Sequence, residues 1–61
     1  MFEVGQRVKI KGDYSDFTDH LDNRVGTIVQ VNENDCWVVM DFDFHIHPQG
    51  WLIWNRNIIH E

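Results

Sequence analysis

Four side chains with the chemistry of a site stand in one row. Residues 41–48 read DFDFHIHP, and their types alternate. On an extended strand, residues i and i+2 share a face and lie about 6.6 Å apart. Asp41, Asp43, His45 and His47 then face one way, and Phe42, Phe44 and Ile46 the other. Two imidazoles that close, His45 and His47, can share a zinc ion if a third ligand joins them. His20, His60, Asp41 and Cys36 are the candidates for that ligand. No Cys-x-x-Cys or His-Glu-x-x-His spacing accompanies the row. An acid/base pair needs a concave, water-poor pocket, which a chain of this size rarely encloses. The plain alternative is a solvated strand face whose histidines titrate near neutrality, over a buried apolar face. On that reading the expectation is no cofactor, no metal, no catalytic residue and no enzymatic activity.

A second series lies upstream. Residues 12–23 read GDYSDFTDHLDN, with Asp13, Asp16, Asp19 and Asp22 at every third position. Tyr14, Phe17 and Leu21 recur at helical spacing, which would gather them on one side of a helix. The plain reading is a solvated loop. The functional reading is a negative surface, with Tyr14 and Phe17, shaped for a partner with a basic groove. Asp41 and Asp43 would extend it if the fold brings them near. Carboxylates set where phosphates would lie can occupy a nucleic-acid channel, and complementary charge speeds such association.

Bases and tryptophans form the remaining candidates. Arg7, Lys9 and Lys11 make a stripe on the first strand and, with Arg24, could touch phosphates. Lys also discourages edge pairing of an exposed strand. Trp51 and Trp54 are three apart, so a regular strand points them to opposite sides. Trp37 lies opposite Val38, Met40 and Phe42 by parity. At least one of the three is therefore expected at the surface, where Trp commonly anchors interfaces.

The elements that must position these groups are small. The chain has 61 residues, which is one domain, 1–61. Hydrophobic residues make up 43% and aromatics 13%, too rich for a disordered segment. Ten acids against five bases leave a net charge of −5, which repels free nucleic acid unless the bases are segregated. One cysteine argues against a disulfide-built secreted fold. The opening MFEVGQRVKI carries no apolar run of signal-peptide or membrane-span length. The expectation is a soluble cytoplasmic protein with no membrane partner.

Turn residues cut the chain into short β-rich runs. The expected strands are 7–11, 25–31, 36 to about 44, 51–54 and 58–60. A polar turn at 32–35 joins the second and third as an antiparallel hairpin. Gly26 marks a bulge or a close backbone approach. Residues 55–57 suggest one 3₁₀ turn. Between the first two strands, Asp13 or Ser15 can cap a helical turn and Asn23 can end it in a left-handed conformation. Asp, Ser, Thr and Tyr are middling helix formers, so one or two turns, or an ordered loop, are expected there. Five short strands point to a small all-β barrel.

The order VGQRVKI (4–10), RVGTIV (24–29) after a long loop, WVVMDF (37–42) after a polar turn, and a closing strand after NRN (55–57) resembles the small SH3-like barrels. These include KOW-type and Tudor-like domains. The chain looks most like short bacterial and phage SH3-like proteins that open with a VGDRVRI phrase. The resemblance implies a five-stranded antiparallel SH3-like barrel with a long, partly helical RT-type loop at 11–23. It implies non-catalytic binding of peptides, proteins or nucleic acid. KOW-type members bind RNA or ribosomal proteins through basic loops, whereas this loop is acidic. The expectation is a protein-binding module, an accessory protein of a phage or mobile element. It would inhibit a host protein, a nucleic-acid-binding enzyme with a basic groove, through the acidic loop and the exposed aromatics. A KOW-like RNA- or DNA-binding module using Arg7, Lys9, Lys11 and Arg24 is the alternative, and a zinc protein using His45 and His47 a second. A homo-oligomer through strand edges and Trp residues is also open.

Overall fold

The computed structural model describes residues 2–16, 18–42 and 50–61, without the Asp16 side chain. Alternation of apolar and polar residues builds the strands. β1 (Arg7–Ile10), β2 (Val25–Val31), β3 (Asp35–Met40), β4 (Trp51–Trp54) and β5 (Ile58–His60) form one antiparallel sheet. The strand order is β4-β3-β2-β1-β5. The fold is all-β, as the sequence leads one to expect.

The register sets the faces. Val8 stands opposite Gly26 and His60, and Ile10 opposite Ile58. Val38 pairs with Ile28 and Trp51, and Cys36 with Val31 and Ile53. Val8, Ile10, Ile28, Cys36, Val38, Met40, Ile53 and Ile58 thus share one face and are buried, together with Leu21 from the 11–23 loop. Full burial of an aliphatic side chain contributes about 1.5–3 kcal/mol, so these nine carry the fold. Phe2 and Trp51 pack against them from the rim. The Cα radius of gyration is 10.1 Å, close to the roughly 10.5 Å of a packed chain of this length.

Two glycines permit close approach. A Cβ at Gly26 would meet the Val39 carbonyl oxygen at 2.7 Å, so the expected close contact is present. The bulge falls further along β2, between Ile28 and Gln30. Gly50 has φ +88°, and a Cβ there would meet the Val38 carbonyl oxygen at 2.2 Å. Only glycine fits that combination.

Three expectations need correction. β1 ends at Ile10, and β3 ends at Met40, where Asp41 and Phe42 form a turn. Phe42 does not continue the buried row but is 53% exposed, with the Arg24 guanidinium 5.2 Å from its ring centre. The Asp41 N–H still bonds the Val25 carbonyl across the sheet, and its carboxylate is held by Arg7. The 11–23 loop holds no long helix. It makes two three-residue 3₁₀ turns, η1 (Tyr14–Asp16) and η2 (Asp19–Leu21). Tyr14 and Leu21 share no face: Leu21 is fully buried and Tyr14 is 82% exposed. A third 3₁₀ turn, η3 (Asn55–Asn57), stands where the sequence suggested one. Asn23 has φ 63°, the expected left-handed stop.

Candidate functional site

The acidic loop is tied by its own polar groups. Asp13 Oδ1 accepts from the Ser15 N–H at 2.9 Å and from the Ser15 hydroxyl at 2.8 Å. These bonds, the hydroxyl's first, hold the Asp13 carboxyl below the ordinary aspartate value. Asp22 Oδ1 accepts from the Gly12 N–H at 2.9 Å. Short acceptor side chains bonding nearby N–H groups favour turns over continuous helix. Buried Thr18 pegs the loop down. Its Oγ1 accepts from the Asp13 N–H at 2.9 Å and from Asn57 Nδ2 at 3.2 Å. Asn57 is buried too, so the peg joins the loop to η3.

A cleft of ≈190 Å³ lies along this joint, lined by Lys11, Gly12, Asp13, Arg56 and Asn57. The Lys11 N–H bonds the Asn57 carbonyl at 2.7 Å and joins two of its lining residues. Arg56 also lies over the Trp54 ring, 5.6 Å from its centre. Exposed Tyr14 follows Asp13 in the chain, and the Trp54 ring under Arg56 is 47% exposed. Beyond Trp54 the outer face of β3 and β4 continues. Trp54 stands opposite Asp35, and Leu52 opposite Trp37. Trp37 and Trp54 are thus diagonal neighbours within side-chain reach. Leu52 is 49% exposed and Trp37 half-buried.

The sequence-derived candidates separate into groups. Asp13 lines the cleft, Tyr14 follows it in the chain and Trp54 lies under Arg56, with Asp19 and Asp22 exposed on the same loop. Trp37 adjoins through the sheet. Trp51 points to the opposite side from Trp54, as parity requires, and packs on the core beside the His20 ring at 5.2 Å. Asp41 stands just past the end of β3, its N–H bonded to the Val25 carbonyl. Arg7 grips it with two nitrogens, at 2.8 and 2.6 Å, and this keeps its carboxyl below the ordinary range. The same contact holds the Arg7 guanidinium in its charged form. Arg7 also approaches Glu61 at 3.7 Å.

The basic stripe is therefore divided. Arg7 faces Asp41, Lys9 lies mid-sheet beside Ile59, Lys11 lines the cleft, and Arg24 covers Phe42. Asp43, His45, His47 and Phe17 lie outside the described residues, as does the Asp16 side chain. Among the described residues, no group of three or more His, Cys, Asp or Glu is placed to hold a metal. Of the candidate third ligands, Cys36 is buried with its thiol 3.3 Å from Asn55 Oδ1, and burial raises its pKa. His20 lies against Trp51, and His60 against Phe2. No helix among the described residues is long and apolar enough to cross a membrane.

Leu52, Arg56 and Asn57 join the candidate surface without having been singled out in the sequence. Leu52 and Arg56 were legible in principle, one by strand parity with Trp54 and the other two positions after it. Asn57 bonds Thr18 across 39 positions, and no local pattern announces that pair. Comparison with protein-family models, curated proteins and solved structures found no match for the chain.

Proposed function

We propose that the sheet closes as an SH3-like barrel and that the chain is a non-enzymatic protein-binding module. In this reading it is an accessory protein of a phage or mobile element. It inhibits a host nucleic-acid-binding protein by presenting carboxylates to a basic groove. One observation carries the reading: exposed Asp13, Tyr14, Asp19 and Asp22 stand on one loop held by its own hydrogen bonds, and Asp13 lines a cleft with Arg56, whose guanidinium covers the exposed Trp54 ring. A loop already held in shape loses less conformational freedom on binding. Exposed aromatic rings supply the apolar anchors that hot spots use. The strand order and the opening phrase support the barrel and the phage assignment.

The test is capture of partners by the tagged chain from nuclease-treated host lysate, beside a Tyr14→Ala/Asp19→Asn variant. Neither side chain enters a hydrogen bond or ion pair among the described residues, so the variant should fold. The expected result is one enriched protein that survives nuclease, elutes in high salt and is absent from the variant's catch. Partners that vanish with nuclease would instead support phosphate binding through Lys9, Lys11 and Arg24. Equal capture by the variant would remove the loop from the interface.

A further inference from the structure

β4 is one edge of the sheet, and among the described residues no strand pairs with its outer side. Hydrogen bonds decide which of its backbone groups face that side. The Asn55 N–H bonds the Asn34 carbonyl at 3.0 Å, in the register that sets Trp54 against Asp35 and Ile53 against Cys36. Antiparallel pairs alternate between bonded and non-bonded. Asn55 and Ile53 therefore turn their backbone groups towards β3, and Leu52 and Trp54 point theirs outwards. The far side of β3 agrees. The Asn32 N–H bonds the Asp35 carbonyl at 2.8 Å, so Asp35, opposite Trp54, turns its backbone to the hairpin instead of to β4. Leu52 and Trp54 also carry exposed side chains, on the outer face of the sheet. Sheet edges are ordinarily protected by charge, proline, a bulge or a covering segment. The four residues of β4, WLIW, hold no charge and no proline, and their pairing with β3 is unbroken. The opposite edge differs: β5 has three residues, Ile58 is buried, and His60 stacks on the Phe2 ring.

We propose that β4 pairs with β4 of a second copy, antiparallel about a two-fold axis through Ile53. Leu52 of each copy then stands opposite Trp54 of the other, and each such pair exchanges both backbone bonds. Only residues of this parity have outward bonds to give, so the register also decides the faces. Leu52 and Trp54 of the two copies meet on the outer face, and the two cores lie together on the other. An aliphatic side chain opposite an aromatic one is a favourable cross-strand pair. Neighbouring registers fit less well. An axis through Leu52 would set Trp54 against Gly50, whose φ of +88° is not a strand conformation. An axis through Trp54 would set Leu52 against Arg56, which lies in η3. The edge thus complements itself in bonds and in side chains, which is what a second copy supplies. The ladder is short and each copy carries a net charge of −5, so the dimer is weak and salt strengthens it.

Sedimentation and amide NMR of the intact chain test the pairing, from about 10 μM to about 1 mM. The apparent mass should approach twice that of one chain at the top of the range, and more closely in about 0.5 M salt than in about 0.05 M. Salt acts in the opposite direction on capture of the proposed partner, so the two readings fail separately. The amide signals that move with concentration should be those of Leu52 and Trp54, whose N–H groups enter the new bonds. Leu52→Lys places a charge at an exposed position of the edge and should stay monomeric, with its other sheet amides in place. A wild type that is still monomeric at about 1 mM overturns the proposal. So does a dimer whose moving signals fall on β5 or the acidic loop, one that high salt dissolves, or one that Leu52→Lys forms as readily.

Discussion

At the scale of single residues, one hydroxyl does more than any charge to shape the candidate site. Thr18 Oγ1 holds both the Asp13 N–H and Asn57 Nδ2 while nearly excluded from water. Thr18→Val keeps the shape and removes the oxygen, so the Asp13 N–H and the amide of buried Asn57 each lose that bond. A bond lost to a buried donor costs about 1–3 kcal/mol. In a domain of this size each kcal/mol lowers the Tm by roughly 4–8 °C. A calorimetric scan of Thr18→Val should therefore show a clear drop, while Thr18→Ser should lie between it and the wild type. Equal Tm values for Val and wild type would mean that water replaces the hydroxyl and that the loop is not pegged there. This residue was not legible in the sequence. A threonine inside a polar loop looks solvated until a partner 39 positions away comes back to meet it. Asn23 was legible because its left-handed backbone is a local demand, and Gly26 because a glycine inside a strand pattern signals a close approach.

At the scale of elements, the strands could be read because alternation is a strong signal over four to seven residues. The reading failed where alternation outlasted the strand. Asp41 and Phe42 continue the alternation of β3, yet the strand ends at Met40 and they form a turn, with the Asp41 carboxylate held by two hydrogen bonds from Arg7. The loop makes the short turns that its middling helix formers lead one to expect. Tyr14, Phe17 and Leu21 stand at helical spacing, but Asp13 and Asp22 spend their carboxylates on the Ser15 and Gly12 N–H groups. Bonds of that kind compete with a continuous helix and leave short turns. These contacts have a pH consequence. Asp13 and Asp41 both titrate below their ordinary value of 3.8 in the folded chain. The unfolded chain therefore takes up protons first as acid is added. Their contribution to stability is present above pH 3.8 and is lost as the pH falls through the lowered folded values. Urea midpoints should decline over that window in the wild type, and less steeply in Asp41→Asn. Since Arg7 and Asp41 are about half exposed, the difference should shrink in high salt. Parallel curves for the two proteins would show that the pair contributes nothing measurable.

At the scale of the whole molecule, charge decides between partners. A net charge of −5 sets an unfavourable field for any approaching polyanion. The fold deepens that bias. Arg7 is matched by Asp41, and Lys11 shares its cleft with Asp13, so the bases do not add up to a stripe. The acids of the 11–23 loop, by contrast, sit together on one exposed segment, with Asp13, Asp19 and Asp22 all exposed. Such a field acts on encounter, because it steers an oppositely charged groove before any contact forms. In the proposed complex, short-range contacts of Tyr14, Leu52 and Trp54 would act afterwards, on escape. The two contributions can be separated by surface-bound kinetics against the protein captured in the nuclease-treated lysate. Raising the salt from about 0.05 to about 0.5 M should lower the association rate at least tenfold and change the dissociation rate little. Asp19→Asn/Asp22→Asn should associate more slowly at low salt and match the wild type at high salt. Trp54→Ala should leave association intact and speed dissociation. If the dissociation rate carried the whole salt effect, the carboxylates would be acting as contacts within the complex rather than as a guide into it. The phosphate-mimic reading would then give way to one of specific ion pairs at the cleft.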